Sequence, residues 1–187
     1  MYAMFYKTSL TDDKLRECFD RIASNGRFEQ TFYDGKTEKD AGVFIHDMRN
    51  PFVHFWLMAD VNENGSKEAG FIWVTALERG GADGGTANIH FCMFDGVHPL
   101  LQFRLCRFGV SRILRLMDDE GKYIIQTLFG ITPVRNKQAC RWVRNVGFTE
   151  LCILPGVAYM ADTRKNEDAM LTYATRETIK EEWGISL

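Results

Sequence analysis

Residues 122–148 read KYIIQTLFGITPVRNKQACRWVRNVGF, and the predicted fold depends on this stretch. Residues 123–129 are rich in β-branched and aromatic side chains, which indicates a buried strand, and a proline-marked turn follows. Asn136 can cap the next helix, because its side-chain oxygen can accept a free N–H of the first turn. Gly147 suits the left-handed residue that ends a helix, and Phe148 can fold back onto it. The apolar face of this helix is formed by Ala139, Cys140, Val143 and Val146.

The rest of the chain alternates predicted strands and helices. Further strands are predicted at residues 1–8, 52–61, 67–77, 86–94, 150–154 and 169–174. Further helices are predicted after a Thr11 cap, from Thr37 to about Met48, over most of residues 95–121, and at 176–183. Residues 80–85 are predicted to form a surface loop and Pro155-Gly156 a turn, whereas residues 27–35 show no clear pattern. Early hairpins followed by β–α–β connections indicate an α+β or mixed α/β class.

Size and composition indicate a soluble globular protein. The 187 residues are expected to form one domain over residues 1–187, and a net charge of −2 gives no general attraction to nucleic acid. The five cysteines are scattered and show no C-x-x-C pair, which predicts reduced thiols in an intracellular protein. No signal peptide is evident and no apolar run is long enough to span a bilayer. We therefore expect a cytoplasmic protein without membrane contact, and the spacing of the four histidines predicts no metal site.

A short motif in the central stretch resembles a known family. Asn136 and Ala139 form an N-x-x-A pattern that is followed at fixed spacing by Gly147 and Phe148, which resembles the GNAT superfamily of N-acetyltransferases. The resemblance implies a central, mostly antiparallel sheet of about six to seven strands flanked by helices. A fainter resemblance, carried by the IHFCMF segment at residues 89–94, is to small phage-encoded GNAT-like proteins.

The resemblance also implies a function. A GNAT enzyme is an acyl-CoA-dependent N-acyltransferase, which moves an acetyl group from acetyl-CoA to an amine by direct transfer. The acceptor would be a small-molecule or peptide amine, and the protein could form a homodimer. The alternative is a degenerate member of the superfamily, without catalysis, that serves as a binding or structural component, for example a phage-associated one.

In the family that the chain resembles, backbone N–H groups of a Q/R-x-x-G-x-G/A loop hold the pyrophosphate of CoA at the start of a helix. Two alignments of this chain with the loop motif are open. Residues 104–109 match the first and last positions of the motif but have Arg107 where a glycine is expected, and residues 102–107 match at Gln102 but have neither glycine. The cofactor-binding residues predicted from the resemblance are Gln102, Arg104, Arg107, Phe108, Gly109, Val110 and Asn136. The other interpretation is a helix that begins near Pro99 with an arginine face, which leaves little room for a phosphate loop. Binding of nucleic acid by that arginine face is not expected, given the net charge.

The catalytic groups are less evident. The family's usual tyrosine acid would lie seven residues after Asn136, where this chain has Val143. His90 is the candidate base, because a histidine in the strand at residues 86–94 would titrate near neutral pH. The alternative for His90 is a core histidine with a single hydrogen-bond partner. Asp95 at the end of the same strand is another candidate base, and it can equally be a turn or cap residue.

Overall fold

The computed structural model describes residues 1–63, 65–81 and 83–183. Its strands are β1 (Tyr2–Tyr6), β2 (His54–Asn62), β3 (Gly65–Gly81), β4 (Gly84–Met93), β5 (Ile125–Pro133), β6 (Thr149–Met160) and β7 (Lys165–Thr175). Its α-helices are α1 (Asp12–Ala23), α2 (Arg27–Thr31), α3 (Ala41–Arg49), α4 (Pro99–Ile113), α5 (Lys137–Val146) and α6 (Arg176–Trp183). A short 3₁₀ helix, Lys7–Ser9, follows β1.

The strands form one sheet in the order β1-β2-β3-β4-β5-β7-β6. Only β4 and β5 run parallel, and each other neighbouring pair of described strands is antiparallel. The predicted mixed α/β class with a mostly antiparallel, helix-flanked sheet is therefore confirmed. The central parallel pair arises because α4 connects β4 to β5 as a crossover.

Helices cover both faces of the sheet, as alternate residues of β3 show. Phe71 faces Phe44 of α3, with ring centroids 5.9 Å apart. Its neighbour Ile72 faces Gly109 of α4, where a Cβ atom would come within 2.5 Å of Ile72 Cδ1. Successive strand residues point to opposite faces, so α3 and α4 lie on opposite sides of the sheet.

The strand–turn–helix unit predicted from residues 122–148 is present. Asn136 Oδ1 accepts a hydrogen bond from Ala139 N at 3.0 Å, Gly147 has a φ of +113°, and Phe148 is buried. The predicted proline-marked turn is confirmed, because Pro133 ends β5, where it pairs with Ala169 of β7, and Asn136 N donates to Pro133 O at 3.0 Å. Pro133 is the last residue of its strand, a position where its missing N–H is tolerated.

One predicted turn and one predicted loop are parts of longer strands. Pro155-Gly156 lies inside β6, where the register with β7 shifts between Leu154 and Ala158. The glycine-rich segment at residues 80–85 lies largely within β3 and β4, which extend to Gly81 and from Gly84. Gly85 is required there, because a Cβ atom would lie 1.7 Å from Glu78 O.

The second predicted helix begins later than expected. Asp40, not Thr37, caps α3, since Asp40 Oδ1 accepts from Gly42 N at 2.7 Å and from Val43 N at 3.0 Å. The Thr37 hydroxyl donates instead to Asp47 Oδ2 at 2.8 Å. Residues 27–35, where the sequence shows no pattern, contain the five-residue helix α2.

All five cysteines are free thiols, and four of them are buried, as expected from their apolar surroundings. Among the described residues, no helix has the length and apolar character that crossing a membrane requires.

Candidate active site

The two central parallel strands part at their carboxyl ends. β4 and β5 pair from Gly85 with Ile125 to Asn88 with Phe129, and no pairing between them follows within the described residues. On their outer sides both strands stay paired, β4 with β3 and β5 with β7. Residues 89–93 and 130–133 therefore border a cleft in which backbone N–H and C=O groups lack a strand partner.

Side chains from six elements line this cleft, and Trp73 is the contribution of β3. β4 contributes His90 and Cys92, β5 contributes Thr132, and α4 contributes Gln102. Helix α5 forms one wall, and α2 with the residues after it forms the opposite wall. The lining residues of these two walls include Asn136, Gln138, Trp142, Val143, Arg27, Gln30, Thr31 and Tyr33.

Three of the predicted site residues meet in the cleft, namely His90, Gln102 and Asn136. Gln102 Nε2 donates to Phe94 O at 2.8 Å, which ties α4 to the end of β4. The side-chain oxygen of Asn136 is engaged in capping α5. Val143 lies on the wall of the cleft, so the position where the resemblance implies an acid carries an aliphatic side chain.

The other predicted cofactor residues lie inside α4 and outside the cleft lining. The Phe108 ring packs on Tyr2 at 5.9 Å, and Val110 is completely buried. Arg107 donates to Asn145 O at 2.9 Å, whereas Arg104 is exposed on the helix surface. Residues 102–109 lie inside α4 and do not form a loop, because helical hydrogen bonds occupy this backbone. That residues of this segment bind a cofactor stays a prediction. The other interpretation, a helix from Pro99, is correct.

Gly109 has a packing role that a substitution can test. An added Cβ atom would lie 2.5 Å from Ile72 Cδ1 and 3.2 Å from Met58 Sδ, and both side chains are fully buried. Overpacking costs about 1–3 kcal/mol, which exceeds the gain of about 1 kcal/mol from alanine's helix propensity. We expect Gly109→Ala to lower the free energy of unfolding by about 1 kcal/mol in urea titrations.

The control for that variant is Gly81→Ala, because no atom lies within 4 Å of a Cβ built at Gly81. Its stability should stay close to that of the wild type. If Gly109→Ala were as stable as the wild type, the close packing of α4 on β3 would be contradicted.

His90 lies at the junction of the cleft and a second cavity, and its surroundings keep it neutral. Its ring stacks on Trp73 with centroids 4.7 Å apart and an interplanar angle of 13°. A hydrogen bond of 3.1 Å joins His90 Nε2 to Thr75 Oγ1. Burial lowers the pKa of His90 to about 4, and the nearby Asp34 carboxylate opposes this shift. The imidazole is therefore uncharged at neutral pH.

The lowered pKa of His90 predicts that the protein loses stability as the pH falls below neutrality. The unfolded chain, with a histidine pKa of about 6.5, binds this proton more readily than the folded chain. The free energy of unfolding should therefore fall by roughly 2–3 kcal/mol on this account as the pH drops from about 6.5 to about 4. Urea unfolding at about pH 7 and about pH 4.5 measures the difference.

His90→Gln should lose less stability over that interval than the wild type. His46→Gln is the matched control, since His46 is exposed on α3, and it should keep the wild-type response. Equal losses in His90→Gln and the wild type would show that His90 is not the titrating group.

Tyr33 is a site residue that the sequence did not indicate. It follows α2 in a segment without periodicity, and it lines both the cleft and the second cavity. Its carbonyl accepts from Ala161 N at 2.9 Å, and its side chain packs on Met160 and Ala169 at the far edge of the sheet. Burial raises the pKa of Tyr33, with the Asp34 carboxylate acting in the same direction. The phenol thus stays protonated at neutral pH.

The second cavity adjoins the cleft and contains negative charge. Thr31, Tyr33, Trp73 and His90 line both spaces. Beyond them, the second cavity is bordered by the carboxylates of Asp34 and Asp47, by Lys36, and by Thr37, Asn50 and Thr75. His90 therefore borders both spaces.

Comparisons with known proteins identify the fold. No protein-family model and no curated protein sequence matches the chain, but many solved structures do. A ribosomal-protein-S5-alanine acetyltransferase from Vibrio fischeri is similar with a TM-score of 0.67 at 9% identity, over 94% of this chain and 93% of that one. A spermidine N-acetyltransferase from Vibrio cholerae, in complex with CoA and spermine, has a TM-score of 0.65 at 12% identity, over 95% and 97%.

A third similar structure is a microcin C7 self-immunity acetyltransferase in complex with acetyl-CoA and AMP. It has a TM-score of 0.63 at 13% identity and covers 88% of this chain and 86% of that one. At these identities the likeness establishes architecture. The chain has the fold of the GNAT acetyltransferases, as the N-x-x-A and G-F pattern predicted.

Proposed function

We propose that this chain is an N-acyltransferase, which moves an acetyl group from acetyl-CoA to an amine by direct transfer between the two bound substrates. The observation that carries the proposal is the parting of β4 and β5 beyond Asn88 and Phe129. The pantetheine arm of acetyl-CoA contains amide groups, and the unpaired edges of the two strands offer hydrogen-bond partners for it. The similar acetyltransferases that bind CoA or acetyl-CoA support the same donor.

The chemistry requires one bond to form and one to break. The amine nitrogen attacks the thioester carbonyl carbon, a C–N bond forms, the C–S bond breaks, and the thiolate takes up a proton. Acetyl-CoA supplies the activated acyl group. The chain must orient the amine, receive its proton and protonate the sulfur.

We assign to His90 the role of orienting the attacking amine and receiving its proton. Its neutral imidazole can accept a hydrogen bond from an amine at the junction of the two cavities. Transfer of a proton from an ordinary ammonium, with a pKa of about 10.4, to a group with a pKa of about 4 would cost roughly 8–9 kcal/mol. The amine therefore has to arrive uncharged, and it loses its proton after the C–N bond has formed.

We assign to Tyr33 the role of proton donor to the thioester sulfur, because Tyr33 borders the same junction of the two cavities. Its raised pKa keeps the phenol protonated at neutral pH, so that it can donate a hydrogen bond to the sulfur. The departing thiolate, with a pKa of about 8.5 for an ordinary thiol, is a weaker base than the Tyr33 phenolate. The phenol therefore stabilises the negative charge that develops on sulfur, and any proton that it passes to the thiolate is replaced from solvent. Val143 cannot serve in this role, because its side chain has no proton to donate.

The acceptor would enter through the second cavity. The Asp47 carboxylate there attracts a cation, whereas Asp34 pairs with Lys36 at 3.4 Å. Trp73 offers an aromatic wall for the methylene groups of the substrate. A small-molecule or peptide amine that carries a second, cationic group fits this description, because the cationic group can bind the carboxylate while the reacting amine is uncharged. Substrate choice would then depend mainly on charge and on the depth of the cavity.

Asp47→Asn tests the acceptor assignment. The substitution removes a negative charge and keeps an oxygen that can accept from the Thr37 hydroxyl. The KM for a cationic amine should rise about three- to tenfold with little change in kcat, because the carboxylate acts on substrate before the reaction. Steady-state assays at low ionic strength measure both constants.

Asp20→Asn, on the exposed side of α1, is the control and should leave both constants unchanged. A fall in kcat at constant KM in Asp47→Asn would contradict a role in attracting the acceptor.

Acetyl-CoA titration followed by a thiol-release assay with a panel of amines tests the whole proposal. A ligand that binds only the folded state at about 100 times its Kd raises the free energy of unfolding by about 2.7 kcal/mol. We expect a shift of this kind, followed by amine-dependent release of CoA. If millimolar acetyl-CoA produced no stabilisation and no amine-dependent release of CoA, the proposal would be refuted.

Val143 supports a second candidate function, a GNAT-fold protein that binds a thioester or an amine without catalysis. In that case the same titration would show stabilisation without thiol release. The fainter resemblance to phage-encoded proteins stays a prediction and agrees with either function.

A further inference from the structure

We propose that the start of α4 does not anchor the diphosphate of CoA, and that the acyl donor is recognised through its acyl-pantetheine arm. The inference rests on the proposed function, since it concerns how the same cleft selects its donor. It departs from the resemblance, which implies a diphosphate held by free N–H groups at this position.

The first turn of α4 has no free backbone donor. Pro99 has no N–H, and Leu100 N donates to Nδ1 of the His98 side chain at 3.2 Å. Leu101 N and Gln102 N both donate to His98 O, at 2.9 Å and 3.1 Å. A helix start binds an anion through its unpaired amides, and in α4 each of these amides is used within the chain.

The loop before α4 also carries a negative charge. Asp95 lies between β4 and α4, and its carboxylate accepts from Arg27 Nε at 2.8 Å. The partial positive charge of a helix start favours an anion, and Asp95 already puts a carboxylate in the loop that leads into this helix start. A diphosphate would meet the carboxylate and would compete with it for Arg27.

Several other polar side chains of α4 and α5 are engaged as well. The Gln102 side-chain amide donates to Phe94 O. Arg107 donates to Asn145 O, with its guanidinium 5.0 Å from the centre of the Phe103 ring. Arg144 pairs with Glu150 through a 2.8 Å hydrogen bond. Arg104, exposed on α4, is the predicted phosphate-binding arginine that could still reach a bound nucleotide.

By contrast, β4 and β5 beyond Asn88 and Phe129 have backbone N–H and C=O groups that can bind the pantetheine arm. Residues 89–93 and 130–133 border the cleft without a strand partner between β4 and β5. Recognition would therefore be concentrated on the thioester end of the donor. A donor that lacks the diphosphate should bind nearly as well as CoA itself.

Calorimetry with CoA and with pantetheine tests this inference on the full chain. We expect dissociation constants within about threefold of each other, and a weak dependence of both on salt. CoA binding more than about 30-fold tighter than pantetheine binding would overturn the inference and leave the proposed function intact. Loss of this preference in Arg104→Ala would then identify the residue that holds the phosphate. Binding of neither ligand at millimolar concentration would overturn both proposals.

Asp95→Asn provides a gain-of-affinity test. The substitution removes the carboxylate and releases Arg27, so CoA affinity should rise about two- to fivefold while pantetheine affinity stays constant. His98→Ala, which frees Leu100 N, should act in the same direction, and thermal unfolding checks that the variant remains folded. Asp119→Asn, exposed beyond α4, is the control. Unchanged or weaker CoA binding in both Asp95→Asn and His98→Ala would contradict the proposed role of this helix start.

Discussion

Phe44→Ala should be among the most destabilising single substitutions in the chain, lowering the free energy of unfolding by about 4 kcal/mol. Phe44 is fully buried, and its ring centroid lies 5.8–6.5 Å from the rings of four other phenylalanines. Removal of the ring forfeits its transfer free energy and leaves a cavity that the surrounding rings cannot fill completely. In a domain of this size the melting temperature should fall by roughly 8–16 °C.

The matched control is Phe52→Ala, because Phe52 is 80% exposed. It should change the free energy of unfolding by less than about 0.5 kcal/mol. Urea titrations of both variants with equal m-values would make the comparison quantitative. A loss below about 1 kcal/mol in Phe44→Ala would contradict the central position of this ring.

The consequences of Phe44→Ala extend to the site. Phe44 packs on Phe32, which stacks on Trp73 at 5.3 Å, and Trp73 in turn stacks on His90. Tyr33 directly follows Phe32 in the chain. The aromatic cluster under α3 therefore holds both proposed reacting side chains in place, and its loss should increase hydrogen exchange in residues 28–34.

Elements with a strong local pattern were predictable from the sequence. The helix from Lys137 to Val146 has a capping asparagine, one apolar face and a terminal glycine, and local chemistry determines all three features. The hairpin of β2 and β3 likewise follows from two apolar runs around a glycine-containing turn. His90 was identified because it is a titratable residue in the middle of an apolar strand.

The sequence-based predictions failed where contacts between distant parts of the chain outweigh the local sequence pattern. Pro155-Gly156 is normally a turn signal, yet pairing with β7 holds it within a strand that bulges there. Gly109 fits a glycine-loop motif, but the approach of Ile72 requires a small residue at that point in α4. Tyr33 lies in a segment whose conformation depends on contacts with Met160 and Ala169, more than 120 residues later in the chain. No pattern within residues 27–35 encodes such contacts.

Tyr33→Phe should lower kcat for acyl transfer by about 100-fold, because a positioned general acid contributes about 10²–10⁴-fold to a rate. The substitution removes only the hydroxyl, so the packing of the ring on Met160 and Ala169 should remain. Acetyl-CoA affinity should change by less than about threefold, because proton donation to the sulfur stabilises the transition state and not the bound substrate. Timed assays of thiol release measure kcat, and calorimetry measures the affinity for acetyl-CoA, so the two effects can be separated.

Tyr159→Phe is the matched control, since Tyr159 is 46% exposed and does not line the cleft. It should retain wild-type kcat. The Tyr33→Phe defect should also shrink with a thioester whose thiol is more acidic, because a better leaving group needs less protonation. If Tyr33→Phe slowed all thioesters equally and raised KM in parallel, Tyr33 would be a binding residue of the cleft, and the sulfur would receive its proton from water.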